Sequence, residues 1–117
     1  MPDRREPAGQ PSDQRPPSSS PVAPEASPEV RRRRVVVHGR VQGVGFRFAC
    51  ARRAQEAHLG GWVRNLPDGT LEAVFEGSNG SVESLTRWCA QGPPMARVAR
   101  VEIFDEPTVG ERGFAVR

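Results

Sequence analysis

The stretch Gly39 to Arg47, reading Gly-Arg-Val-Gln-Gly-Val-Gly-Phe-Arg, constrains this chain more than any other. Val35-Val36-Val37 ahead of it has the β-branched composition of a strand, and Phe46 to Leu59 behind it has helix composition. The glycines therefore fall at a strand-to-helix turn. A helix leaves its first N–H groups without internal partners and carries a partial positive charge there. Glycines let a loop curl so that consecutive N–H groups, here those of Gln42, Gly43, Val44, Gly45, Phe46 and Arg47, converge on one anion. Arg47 adds a planar, permanently charged fork at the rim. The expectation is a phosphate socket.

Two common phosphate loops are excluded. No Gly-Lys-Ser/Thr occurs, and the chain has no lysine at all, which rules out a nucleoside-triphosphate loop. The glycine spacing is not Gly-x-Gly-x-x-Gly, and the chain is short for a dinucleotide domain with a partner. A glycine turn alone is only a tight turn. One that runs straight into Phe-Arg at a helix start has donors with work to do.

Periodicity orders the rest. A first strand is expected at Arg32 to His38, followed by a helix over Phe46 to Leu59 whose Phe46, Cys50, Ala54 and Ala57 recur at helical spacing. Gly60-Gly61 is read as the stop of that helix. Strands follow at Trp62 to Leu66 and at Thr70 to Glu76, the latter alternating with period two, joined through Pro67-Asp68-Gly69. A second helix over Ser81 to Gln91 turns Val82, Leu85, Trp88 and Cys89 inward, and strands at Ala96 to Phe104 and Gly113 to Val116 close the chain. The order β-α-β-β-α-β plus a last strand predicts an α+β, ferredoxin-like (split βαβ) sandwich, an antiparallel sheet with two helices on one face. That fold serves many functions, single-stranded RNA binding among them. RNA binding uses exposed aromatics on the central strands, whereas Arg34, Val36 and His38 supply none and tyrosine is absent.

Composition changes abruptly near Val30. Residues 1–30 hold eight of the twelve prolines and almost no large apolar side chains, so a disordered tail is expected there, with one domain over 31–117. The domain carries fourteen basic and nine acidic residues, a net +5, against −2 in the tail. That balance suits an anionic ligand and argues only weakly for nucleic acid. The run Arg31 to Arg34 is read as a solvated strand entrance, since no aromatics interleave it. Seventeen arginines without a lysine are read as coding bias, yet they exclude Schiff-base chemistry. No apolar stretch reaches membrane-spanning length and no signal-peptide core is visible, so a cytoplasmic protein off the membrane is expected. Cys50 and Cys89 are read as free core thiols. Two distant histidines make no metal constellation.

The loop closely resembles the acylphosphatase family, whose signature Gly-x-Val-Gln-Gly-Val-x-Phe-Arg it matches without a gap. Gly60-Gly61-Trp62-Val63-Arg64-Asn65 matches a second family segment at the expected distance, and the resemblance covers about Arg32 to Arg117. It implies the same ferredoxin-like fold and hydrolysis of acyl phosphates to a carboxylate and inorganic phosphate. It also implies no metal, no other cofactor and no covalent enzyme intermediate. In the family the loop arginine binds the phosphoryl group and the asparagine positions the attacking water, roles that map onto Arg47 and Asn65.

Read on its own, Asn65 is a turn residue. Against that, Pro67-Asp68-Gly69 already supplies the turn, and strand alternation puts Asn65 on the face of Val63, where a polar group needs a partner. His38, just before the loop, competes as a general base or phosphoryl acceptor, but a plain strand residue is the preferred reading. His58 is assigned to the dipole at the helix C-terminus. Two other functions use the same loop: a non-catalytic binder of phosphorylated partners or nucleic acid, and a module of larger carbamoyl-transferring maturation proteins. Shortness and the lack of zinc-binding Cys pairs argue against the module. A monomer is expected.

Overall fold

The computed structural model describes residues 29–117. Seven elements follow in order: β1 (Val30–Arg40), α1 (Phe46–Glu56), β2 (Gly60–Asn65), β3 (Leu71–Ser78), α2 (Asn79–Cys89), β4 (Arg97–Glu106) and β5 (Phe114–Val116). The sheet order is β4-β1-β3-β2-β5. The first four strands pair antiparallel, as the split βαβ sandwich requires, and β5 joins the β2 edge in parallel, which makes the five-strand sheet mixed. The expected tail disorder falls outside the described residues except at its end. There Val30 already pairs with Ser78, and the Glu29 carbonyl accepts from the Asn79 N–H at 2.9 Å.

The core lies between the sheet and the two helices. Val35 and Val37 of β1, Val63 of β2 and Phe75 of β3 meet Phe46, Cys50 and Ala54 of α1 and Val82, Leu85 and Cys89 of α2, all essentially buried. Phe46 meets Trp88 edge-on at 5.2 Å between centroids, and Phe75 stacks on Phe114 at 5.7 Å. Each such aromatic pair adds about 0.5–1.5 kcal/mol beyond its buried area. Cys50 and Cys89 are free and buried. The neighbouring Cys89 thiol, together with burial, pushes the Cys50 thiol well above its ordinary range and leaves it unreactive.

Two sequence expectations need correction. The first helix ends earlier than Leu59, and Gly60-Gly61 does not stop it. His58 does, with φ 59°: its N–H donates to Gln55 and the Leu59 N–H reaches back to Ala54, a Schellman closure with histidine in the left-handed position usually held by glycine. Gly60 and Gly61 instead open β2, where a Cβ would lie 2.0 Å from the Glu111 carbonyl oxygen and 1.8 Å from that of Val74.

The second correction concerns the arginine run, which is not a solvated entrance. Arg32 and Arg34 lie on the helix-free face of the sheet in a lattice of carboxylates from β3, β4 and the segment before β5. Arg32 meets Glu76 at 2.9 Å, Glu106 at 3.1 Å and Glu111 at 2.9 Å, and Arg34 meets Glu106 at 3.1 Å and Glu72 at 3.4 Å. Arg64 closes on Glu72 from β2 at 2.7 Å. On the other face Arg33 ties Glu83 of α2 at 2.6 Å. This lattice also explains why the period-two reading of β3 fails: Leu71 to Glu76 are buried without alternation, one face under the helices and the other under paired charges.

Candidate active site

The loop between β1 and α1 is shaped by Gly43 and Gly45, at φ 73° and 79°, values that side chains other than glycine adopt at a cost. Gly45 is the helix N-cap, no side chain caps α1, and no acidic residue occupies its first turn. Among the described residues no backbone N–H from Gln42 to Phe48 donates to another backbone oxygen. These donors and the helix dipole face a cavity of about 170 Å3 lined by Gly43, Gly45, Phe46, Arg47 and, from the end of β2, Asn65. The loop and the asparagine, 18 residues apart by their numbers from Arg47 to Asn65, are thus brought together as expected.

Asn65 stands out on energetic grounds. Its Oδ1 is buried and has no hydrogen-bond partner, the single such side-chain atom among the described residues. An unmatched buried acceptor costs about 1–3 kcal/mol, which a turn residue at a strand end has no reason to incur. A small donor in the cavity meets that need. Val44 packs instead against the core and does not line the cavity.

Two features of the site were not legible in the sequence. The Gln42 side chain points away from the cavity, its Nε2 donating to the carbonyls of Leu66 at 2.7 Å and Thr70 at 3.0 Å. Those are the two rails at the mouth of the β2–β3 hairpin, so one amide clamps the loop to the segment that carries Asn65. A glutamine inside a glycine loop is a signal that its side chain has a separate task, but its partners are set by the fold alone. Arg117 is the second: its N–H donates to Val63 at 2.8 Å, and its main-chain oxygen then accepts from the Arg47 guanidinium at 3.2 Å. The parallel β5 pairing thereby holds Arg47, from 70 residues away.

Other candidates fall away. His38 Nε2 lies 2.7 Å from Glu102 Oε1, alternates with the buried Val37, and so sits on the helix-free face. Hydrogen bonding from His38 holds the Glu102 carboxyl below its usual value. Asp68 is a turn residue, bonded to the Thr70 hydroxyl at 2.6 Å and its N–H at 3.0 Å. A larger cavity of about 620 Å3 lies beside Glu76 and Glu111, but both carboxylates are bound to Arg32, and Glu76 also accepts from Gly110 at 2.8 Å. No three His, Cys, Asp or Glu side chains converge as metal ligands among the described residues.

A profile of the Acylphosphatase family matches residues 33–116, nearly the whole folded part. The chain belongs to the acylphosphatase family. It is 55% identical over 94 residues to an acylphosphatase of Rubrobacter xylanophilus, covering 80% of this chain and 86% of that protein. Among solved structures it is similar to an acylphosphatase from Coxiella burnetii, with 39% identity and a TM-score of 0.72 over 75% of this chain and 93% of the other. HypF of T. kodakarensis shares 34% identity at a TM-score of 0.66, but only 12% of its length is covered. Family members and this chain share the ferredoxin-like fold, and acyl-phosphate hydrolysis is the activity that family carries. No helix among the described residues is long and apolar enough to cross a membrane.

Proposed function

We propose that this chain hydrolyses acyl phosphates by direct attack of a water held by Asn65 on a phosphoryl group held by the loop and Arg47. The N–H groups of Gln42 to Arg47 and the Arg47 guanidinium take the phosphoryl oxygens and spread the charge that develops on them. The hydrogen bond to the Arg117 main-chain oxygen restrains the guanidinium before substrate arrives, which reduces the reorganisation left for the reaction. The observation that carries the reading is the buried, unmatched Asn65 Oδ1 in the wall of the same cavity as the loop glycines.

The lining residues contain no carboxylate or histidine to serve as general base. The water proton is therefore assigned to a phosphoryl oxygen. The water oxygen bonds to phosphorus, the bond from phosphorus to the acyl oxygen breaks, and its electron pair leaves on the carboxylate. A dianionic acyl phosphate and water give a carboxylate and dihydrogen phosphate. A carboxylate leaves readily, so the site needs no strong acid.

The direct test is hydrolysis of benzoyl phosphate with a chelator present, because every group assigned above is a protein donor. The expected outcome is undiminished turnover, with inorganic phosphate acting as a competitive inhibitor that raises Tm by mass action. Loss of turnover on chelation, restored by a divalent ion, contradicts the mechanism. Salt-sensitive binding of single-stranded nucleic acid without hydrolysis would favour the binder instead. A cytoplasmic location and a monomeric state complete the proposal, supported by the absence of a long apolar helix among the described residues and by the charged lattice over the open sheet face.

A further inference from the structure

The phosphoryl cavity continues into a second one. A groove of about 410 Å3 runs along the outer face of α1 and shares Gly45 and Phe48 with the cavity of Arg47 and Asn65. Phe48 forms the saddle between them and is 69% exposed. One helical turn on, Arg52 lies on the same stripe, exposed and without an ion pair among the described residues. Arg53 borders the groove with its guanidinium over the Trp88 ring at 5.1 Å. A further turn on stands Glu56. Residues four apart on a helix are neighbours on one face, so the stripe presents an aromatic ring, then a cation, then an anion, in order of distance from the phosphoryl site.

Resting on the hydrolytic reading above, we propose that this groove holds the acyl group of the substrate and selects acyl groups that carry a second anionic group about one helical turn beyond Phe48. The acyl carbons lie against Phe48, and the distal anion meets Arg52. Charge complementarity commits the groove to this occupant: the near end carries unpaired positive charge, and Glu56 repels an anion placed a turn too far. A distal carboxylate and a distal phosphate share this chemistry.

The test compares kcat/KM for benzoyl, 4-carboxybenzoyl and 4-phosphonobenzoyl phosphate, with acetyl phosphate as the short reference. In the wild type the distal anion should raise kcat/KM over benzoyl phosphate roughly fivefold, the scale of one exposed ion pair. That ratio should shrink as salt is added. Arg52→Gln should bring it to about one, whereas Arg100→Gln, which removes one charge from the edge strand β4, should leave it near five. Phe48→Ala should lower kcat/KM for the benzoyl substrates roughly tenfold more than for acetyl phosphate. Whichever distal anion gives the larger ratio names the natural class, and either result supports the groove. A ratio that Arg52→Gln leaves unchanged, or that Arg100→Gln lowers equally, overturns it. If the wild type hydrolyses none of the four, the proposal falls with the hydrolytic reading; if it hydrolyses all of them and the ratio ignores Arg52, the proposal falls alone.

Discussion

Arg47 and Asn65 share one cavity but are asked to do different things, and their substitution should separate the two tasks. In the proposed mechanism Arg47 touches the phosphoryl group in ground and transition states, so Arg47→Gln should weaken phosphate inhibition and lower kcat together. In the same mechanism Asn65 holds only the water, so Asn65→Ala should lower kcat by about 10²–10³ while phosphate still binds and still raises Tm. A folded Asn65→Ala protein with near-normal kcat would return Asn65 to the role of turn residue. Asn65→Ala should even gain slightly in stability, since it removes a buried acceptor with no partner. At this scale the meeting of the loop and Asn65 in one cavity was anticipated from the sequence. Arg47 and the loop glycines stood in one contiguous stretch whose chemistry is local, whereas Asn65 read on its own as a turn residue and was singled out by the family resemblance, and the partner of His38 is supplied by β4 and cannot be read from its neighbours.

Among the elements, the β2–β3 hairpin and the loop before α1 form a unit because one glutamine joins them. Gln42→Leu keeps the volume but removes both bonds, to Leu66 and Thr70. Each carbonyl keeps one backbone partner within the hairpin, so the loss should be moderate, about 1–3 kcal/mol for two bonds. The expected signature is a fall in kcat of roughly tenfold beside the lower Tm, with partial recovery in Gln42→Glu ruled out because two carbonyls need a donor. Near-wild-type kcat in a destabilised Gln42→Leu protein would show that the clamp serves folding alone. Element order and the antiparallel pairing of the first four strands were legible from periodicity. The parallel β5, the Schellman stop at His58 and the doubly buried β3 were not. The first depends on a long-range pairing, the second on a residue type that seldom adopts the left-handed conformation, and the third on acids that looked exposed until arginines from β1 and β2 were placed beside them.

For the molecule as a whole, the lattice over the open sheet face makes stability depend on pH through Glu76. Burial raises that carboxyl, but hydrogen bonds from Arg32 and from the Gly110 and Val109 N–H groups outweigh it and hold the group below its ordinary value of 4.5. A depressed folded pKa contributes stability that is fully present above the unfolded value and is lost as pH falls through the folded one. Wild-type Tm should therefore be flat from neutral pH to about 5 and fall steeply below about 4. Glu76→Gln should melt lower at pH 7 and approach the wild type on acidification, as followed by circular dichroism in a pH series. A constant gap at every pH would assign the cost to packing. The same lattice covers β1 and β3 with paired charge where an RNA binder would expose aromatic rings, and the Phe104 ring on the neighbouring edge strand lies under the Arg34 guanidinium at 4.2 Å.

Its cations are all guanidinium groups, and that has a chemical consequence. An acyl phosphate is an acylating agent, and a lysine amine exposed to it is a nucleophile that would be converted to an uncharged amide. Each such event would strand a carboxylate on the sheet without its counter-charge. Arginine stays protonated and does not react, so a protein that concentrates this reagent in its own cavity remains inert toward it. Held in excess acetyl phosphate, the wild type should show no acetylated side chain by peptide mapping, which separates side chains from the α-amine, and an unchanged Tm. Arg34→Lys, which places an amine between Glu72 and Glu106, should gain one acetyl group and lose stability as it does so. Whatever drove lysine out of the chain, its side chains offer the substrate no amine to acylate.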